Sequence, residues 1–202
     1  MKINILGTGK IGGGLGEKWA AQGHQIIYGV RDPQNPKYQA LAGKNVQFKT
    51  IPEAVSSSEI VVLAIPFPAV KDVLEKAGNL QNKLIIDTTN AIAGVPAGFQ
   101  SAAEAVKNWS GSARVIKAFN STGSANLRNP VYQGMRIETL ICRDDVDAKK
   151  IVQKLAEEAG FEVIDAGSLN QAILLEYFAK LWIHLAYQQG MGAGIAFKLL
   201  RR

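Results

Sequence analysis

The sequence predicts an α/β fold: a doubly wound, mostly parallel sheet with helices on both faces and a small C-terminal strand–helix extension. Three observations predict it. Short apolar runs alternate with helix-forming segments through residues 1–122, the pattern of successive βαβ units. One such run, Glu59-Ile60-Val61-Val62-Leu63-Ala64-Ile65, is apolar almost without a break, as a parallel strand covered on both faces must be. The chain also opens on a short strand, a glycine-rich turn and a helix in immediate succession.

The opening strand is Met1 to Leu6. Gly7-Thr8-Gly9-Lys10-Ile11-Gly12 follows it, and helix continues through Leu15 to Ala21. In this setting each glycine has a reason. Gly7 permits the tight turn, Gly9 lets backbone approach a pyrophosphate, and Gly12 lets the helix pack close to the strand. The helix N-terminus offers unpaired N–H groups and a positive dipole end to phosphate. The pattern is that of a nicotinamide dinucleotide site, a Rossmann-type turn; the bland alternative is a structural turn.

The second strand, Gln25 to Gly29, bears on which dinucleotide. An acidic residue near this point would bond the ribose hydroxyls of NAD. Here Gly29 leaves room, and Val30-Arg31 follows with a planar, permanently charged donor fork. Arg31, helped by Lys37, reads as a clamp for the 2′-phosphate of NADP(H). Lys37 could equally be a solvated loop lysine. Asp32 is either a displaced ribose acid or a turn residue ahead of Pro33.

The remaining elements follow in order. Asn45 to Thr50 is a short strand with Val46 and Phe48 inward, and Pro52 to Ser57 a helical turn. Pro66-Phe67-Pro68 ends the apolar strand, and a helix runs from about Ala69 to Ala77. Lys83 to Asp87 is the next strand. A loop with Gly94, Pro96 and Gly98 leads to a helix near Ser101 to Lys107, then a strand at Arg114 to Ala118. Arg136 to Cys142 reads as a strand. Asp144-Asp145-Val146-Asp147 opens a helix with the acidic first turn that a dipole favours, and Gly160 closes it. Phe161 to Asp165 is a further strand.

A long helix from Asn170 to about Gln189 closes the pattern. It is apolar nearly all round, through Leu174, Leu175, Tyr177, Phe178, Leu181, Trp182 and Tyr187. Such a helix must be buried nearly all round. We expect it in a homodimer interface, the alternative being a crevice of its own subunit.

Composition bounds the class. The 202 residues are expected to form a single domain, 1–202. Residues 1–122 are the dinucleotide-binding core. Residues 123–202 are a C-terminal extension with an acceptor-side loop and the dimerisation helix. The apolar content of 47% is ample for a core. No signal peptide and no membrane-length apolar stretch is visible. The lone cysteine, Cys142, cannot form an internal disulfide, which fits the cytoplasm. The net charge of +6 is dispersed, so it favours an anionic cofactor and gives no nucleic-acid footprint.

In open α/β sheets, ligands sit at the carboxyl ends of the strands. Ala64, Ile65 and Pro66 are placed to line the cofactor, and Asp87-Thr88-Thr89-Asn90 and Lys117-Ala118-Phe119-Asn120-Ser121-Thr122 to enclose the nicotinamide. Asn120, Ser121 and Thr122 can donate to a carboxamide or a substrate carbonyl, or can simply cap turns. Lys117 could orient an anionic acceptor or pack its stem on the sheet. His24 reads as structural and His184 as a satisfied core histidine. No catalytic acid or base can be assigned, and no His/Cys cluster has metal spacing. A carbonyl substrate wants such a group. A ring acceptor needs chiefly stacking and alignment.

Several of these segments carry a resemblance. Ile5-Leu6-Gly7-Thr8-Gly9-Lys10-Ile11-Gly12, Gly29-Val30-Arg31, Ala64-Ile65-Pro66, Asp87-Thr88-Thr89-Asn90 and Lys117-Ala118-Phe119-Asn120 together resemble the coenzyme F420-dependent NADP oxidoreductase family. The likeness extends through Gly160-Phe161-Glu162-Val163 and Asp165-Ala166-Gly167. The chain is also similar, in Lys117-Ala118-Phe119-Asn120, to the NADPH domain of six-transmembrane metalloreductases. The resemblance implies NADP(H) held by Gly7 to Gly12 and Arg31, a small-molecule electron acceptor such as coenzyme F420 or a flavin (FMN or FAD), and a dimer. Acceptor identity does not transfer, because the family varies around Asn120 and Ser121. Two other readings stay open. One is a short dehydrogenase of the β-hydroxyacid or pyrroline-carboxylate type, although residues 123–202 are short for its helical domain. The other is a non-catalytic NADP(H) sensor.

Overall fold

Lys2–Leu6 forms β1, buried from Ile3 onward because it lies inside the sheet. The structure, a computed structural model, describes residues 1–202. Helix α1 (Lys10–Ala21) returns the chain to β2 (Gln25–Val30), which pairs with β1 in parallel. The next elements are β3 (Val46–Thr50), α2 (Ile51–Ser56), β4 (Ile60–Leu63), α3 (Val70–Lys76), β5 (Leu84–Asp87), α4 (Ala102–Ser110) and β6 (Val115–Lys117). Short strands β7 (Val131–Tyr132) and β8 (Met135–Arg136) form a separate hairpin. Then β9 (Glu138–Arg143), α5 (Val146–Glu158), β10 (Glu162–Asp165) and α6 (Ala172–Ile183) complete the chain.

The main sheet has the order β10-β9-β6-β5-β4-β1-β2-β3. Its neighbours are parallel except β6 and β9, which run antiparallel. The chain leaves β1 toward β2 on one side and reaches β4 on the other. The topological switch point therefore lies between β1 and β4, where this class of sheet opens a crevice for ligands.

Alternation along the strands builds a core on each face. Ile3, Ile5, Val62 and Ile86 face Leu15 and Trp19 of α1 and Val152 and Leu155 of α5. Leu6, Val61, Leu63 and Ile85 face Val55, Val70, Ala102 and Leu175 on α2, α3, α4 and α6. The Trp19 indole donates to the Leu155 carbonyl at 2.8 Å and ties α1 to α5. His24, as expected, is structural: its Nδ1 lies 3.0 Å from the Met1 amino group and its Nε2 2.7 Å from Glu158.

Three expectations need correction. The strand expected over Arg136 to Cys142 is interrupted at Ile137, and its first part belongs to the hairpin. Gln133 (φ 50°) and Gly134 (φ 79°) make that hairpin's turn, both left-handed as in a type I′ turn. The final helix is α-helical only to Ile183 and closes in a wider turn over His184–Gln188. Within one chain it is covered on one side, so the crevice alternative does not hold. Ala172, Leu175, Ala179 and Trp182 pack inward, but Leu174 and Tyr177 are 57% exposed and Leu181 46%. His184 is exposed too, bonded through Nδ1 to Gln188 Oε1 at 2.6 Å, and is not a core histidine.

Candidate cofactor and acceptor site

The glycine-rich turn divides its glycines by what demands them. Gly7 sits at φ +121°, and a Cβ on it would lie 2.2 Å from the Ala64 carbonyl oxygen. A Cβ on Gly12 would lie 2.1 Å from the Gly7 carbonyl oxygen. These two are required by the protein's own close packing. Gly9 is different. Its backbone is ordinary (φ −75°, ψ −169°), and a Cβ would meet nothing within 4 Å. Gly9 thus presents bare backbone to open space at the N-cap of α1. That N-cap has no side-chain bond, and the first turn holds no acidic residue. The unpaired N–H groups and the dipole end stay available to an anion.

Gly9, Lys10 and Ile11 form one wall of a cleft of about 340 Å³ at the switch point. Ala64, Ile65, Pro66 and Phe67, after β4, form a second wall, and Thr88, Thr89 and Asn90, after β5, a third. Ser124 closes it. Gly7 and Thr8 are half-buried in the turn and Gly12 is buried, and none of the three lines the cleft. Ala118 is fully buried beneath, its N–H donating to the Asp87 carbonyl at 3.1 Å, and does not line the cleft. A larger cavity of about 620 Å³ lies at the amino ends of the strands, beside Lys2, Glu59 and Leu84. That is the wrong end of a doubly wound sheet for its ligand.

Arg31 follows β2 directly, exposed and in no ion pair. Lys37 is exposed on the turn Pro36–Leu41, its ammonium 5.0 Å from the centre of the Tyr38 ring. Neither borders the 340 Å³ cleft. Asp32 accepts the Gln34 N–H at 3.1 Å, the bond of a turn residue. The reason for Gly29 also changes. A Cβ there would lie 2.5 Å from Leu6 Cδ2, so core packing, and not room for a phosphate, demands that glycine.

Asn120, Ser121 and Thr122, expected on the acceptor side, have protein partners. Asn120 Nδ2 donates to the carbonyls of Thr88 (3.3 Å) and Thr89 (3.1 Å) and to Asn90 Oδ1 (2.8 Å). Its Oδ1 is buried with no partner. Ser121 Oγ donates to the Glu138 carbonyl at 2.5 Å. Thr122 Oγ1 accepts from Asn126 Nδ2 at 2.6 Å. Ser121 borders a second, smaller cavity of about 270 Å³, beside Leu140, Ile164, Phe178 and Phe197.

Lys117 does not reach the surface. Its side chain is 0% exposed, 3.0 Å from Asp87 Oδ2 and 3.2 Å from Glu176 Oε1. It also donates to the Thr89 carbonyl. Ser124 and Glu176 were not foreseen. Ser124 stands in a loop without a motif. Glu176 had one signal: it is the lone carboxylate in an otherwise apolar run, Ala172–Phe178.

Known proteins share this sequence pattern and fold. The profile of a family described as NADP oxidoreductase, coenzyme F420-dependent, matches residues 2–91. The chain is 31% identical to the F420-dependent NADP reductase of Methanothermobacter thermautotrophicus, over 92% of this chain and 89% of that protein. It is 30% identical to metalloreductase STEAP3 of Rattus norvegicus, over 85% of this chain but 35% of that protein. Among solved structures it is similar to a candidate F420-dependent NADP reductase of Arthrobacter sp. FB24, with TM-score 0.86, 26% identity and full coverage of both chains. A reductive aminase of Aspergillus terreus, in complex with NADPH and ethyl levulinate, shares the fold with TM-score 0.72. It is 19% identical over 94% of this chain and 62% of that one.

Proposed function

The chain belongs to the coenzyme F420-dependent NADP oxidoreductase family, and from that premise we propose that it transfers a hydride between NADP(H) and a deazaflavin of the F420 type. A flavin such as FMN or FAD is the second acceptor class to test. Bound NADPH supplies the hydride; this chain's residues hold and align it.

One observation carries the reading: Gly9 offers bare backbone to a cleft at the switch point, although nothing in the protein forbids a side chain there. A pyrophosphate lying against Gly9, Lys10 and Ile11 would account for that. It would receive the N–H groups at the start of α1. Arg31, free of any carboxylate partner, would take the 2′-phosphate, with Lys37 beside it. Ala64, Ile65 and Pro66 would flank the cofactor, and Thr88 to Asn90 would bound the nicotinamide end.

The acceptor class follows from what the side chains are already doing. Lys117, Asn120 and Ser121 spend their donors on protein oxygens. Thr122 Oγ1 accepts from Asn126 Nδ2. A carbonyl turning into an alkoxide wants a committed proton donor, and the buried candidates Lys117, Asn120 and Ser121 are already engaged. A ring acceptor asks chiefly for stacking and alignment.

The test is direct. Protein and NADPH are mixed with coenzyme F420, FMN, FAD, riboflavin or ferric chelates, and nicotinamide absorbance is followed. Turnover with F420 is the expected result. Tight NADPH binding without turnover on any ring would replace the enzyme reading with that of a sensor.

The same proposal includes a homodimer formed through the exposed stripe Leu174, Tyr177 and Leu181 of α6. Leu181→Glu is expected to convert a sedimenting dimer to a folded monomer. Wild-type protein that sediments as a monomer would end that part. We also treat residues 1–202 as one folding unit, because β9 pairs with β6 and α5 packs on Trp19. The free, buried thiol of Cys142 supports a reducing compartment, the cytoplasm. No helix is long and apolar enough to cross a membrane.

A further inference from the structure

Asp87, Lys117 and Glu176 come from β5, β6 and α6, and their side chains are 0%, 0% and 2% exposed. Burying three charges costs more than packing apolar residues of the same volume, and such groups are seldom the cheapest way to hold a core together. What this group holds is specific. Asp87 Oδ1 accepts both the N–H (2.9 Å) and the hydroxyl (2.7 Å) of Thr89. Lys117 donates to the Thr89 carbonyl. Thr89 is thereby fixed at its amide, its side chain and its carbonyl. Thr89 is also a wall of the 340 Å³ cleft.

The Glu176 carboxylate is in turn anchored away from the cleft. It accepts the N–H of Ala102 (3.1 Å) and Ala103 (3.3 Å), the first residues of α4. That is a favourable place for negative charge. Glu176 thus locates the ammonium between a helix terminus and the β5 loop. Asn120 completes the fixation by donating to Thr88, Thr89 and Asn90.

We propose that Lys117 and Glu176 are positioning residues. The buried Asp87–Lys117–Glu176 triad sets the Thr88–Asn90 wall and so aligns the nicotinamide end of NADP(H), leaving the adenosine end untouched. The inference rests on the reading of this cleft as the NADP(H) site.

The primary variant is Glu176→Gln, which keeps the shape and an acceptor oxygen but removes the charge that centres Lys117. Its affinity for 2′,5′-ADP, the adenosine half alone, is expected to stay within about twofold of wild type. The emission of bound NADPH should move toward that of the free coenzyme. The kcat for F420 reduction should fall about 10- to 100-fold, the scale expected of a small misplacement. Wild-type emission and kcat in a folded variant would overturn the proposal. So would an equal loss of affinity for 2′,5′-ADP and NADPH, which marks a general structural defect.

A measurement on the wild-type protein covers the case in which the variant does not fold. Amide hydrogen exchange at Thr89, Ala102 and Ala103 should be strongly protected before any coenzyme is added, and changed little by NADPH. Exchange at Thr89 as fast as in an open loop would overturn the proposal. The underlying functional reading fails separately: wild-type protein that binds NADPH but reduces no acceptor refutes the acceptor assignment and leaves the emission and exchange results standing.

Discussion

Gly9→Ala separates what the protein needs from what its ligand needs. The backbone at Gly9 is in a region open to any residue (φ −75°, ψ −169°), and the new methyl would have no neighbour within 4 Å. A compatible Gly→Ala change stabilises by about 0.4–1 kcal/mol by restricting the unfolded chain, but Gly9 is the N-cap of α1, where alanine is poorer than glycine by a comparable amount. The two effects offset, and Tm should stay within about 2 °C of wild type. Binding should fall. The methyl would stand where the pyrophosphate meets the start of α1, and one displaced charge-assisted bond costs about 1.5–3 kcal/mol. That is a loss of NADPH affinity of roughly 10- to 150-fold. Thermal melting and a fluorescence titration with NADPH, on the same preparation, read both numbers. Gly12→Ala is the control: its Cβ would lie 2.1 Å from the Gly7 carbonyl oxygen, so Tm itself should fall. A Gly9→Ala protein with a wild-type Tm and wild-type NADPH affinity would refute the placement of the pyrophosphate.

Three further outcomes are expected. Arg31→Asp should lower kcat/KM for NADPH by about 100-fold and leave NADH within about twofold, since the lost bonds are made only to the 2′-phosphate; equal losses would remove Arg31 from that role. Acid should destabilise the fold. The Lys107 side-chain bond and then the Leu169 N–H hold Asp144 below the usual aspartate range, and the Ala148 N–H and then Arg114 do so for Asp145. At Asp165 burial pushes up, but the Gly167 N–H, Lys149 and Arg143 outweigh it and the carboxyl is lowered. With folded values depressed, the unfolded chain takes up protons first. The stabilisation is complete above the unfolded value of about 4 and drains away below it. Tm should therefore be level above pH ~5 and fall below pH ~4, less steeply in the double variant Asp144→Asn/Asp145→Asn. Cys142 should be inert: burial, with Asp165 adding to it and Lys117 opposing, pushes its thiol up to about 11. A disulfide reagent at pH ~8 should label it only after unfolding, and fast labelling of native protein would contradict the burial.

The sheet was legible because its causes are local. An apolar run such as Ile60–Leu63 is written in consecutive residues, and so is a strand–glycine–helix turn. Even there, the right residue had the wrong reason once: Gly29 answers to Leu6 across the core, which no spacing along the chain reveals. The hairpin at Val131–Arg136 was missed because its strands are short and mostly exposed, leaving little hydrophobic alternation to read. What covers the apolar helix α6 was open for a similar reason: the sequence does not say which side packs on its own subunit, and in one chain Leu174, Tyr177 and Leu181 stay exposed. Lys117 was ambiguous for a related reason. Its partners Asp87 and Glu176 lie in distant segments, so only the fold distinguishes a buried, satisfied ammonium from one aimed at a ligand.

That ambiguity also explains the segment Lys117-Ala118-Phe119-Asn120. Phe119 has φ +63°, a conformation that bulky residues avoid. It is held there by burial against Trp19 and Phe161 and by its N–H donating to Thr139 Oγ1 at 2.9 Å. The reversal places Asn120 under the loop that Lys117 already grips, so both polar residues of the segment end on Thr88 to Asn90. Strain of this kind persists only where the surroundings over-determine it. Here much of the surrounding comes from residues beyond 122: Thr139, Phe161 and Glu176. Residues beyond 122 therefore act on the 340 Å³ cleft from below, by fixing a wall. A substitution at Thr139 would be felt at Thr89 through Phe119 and Asn120, although Thr139 itself does not line the cleft.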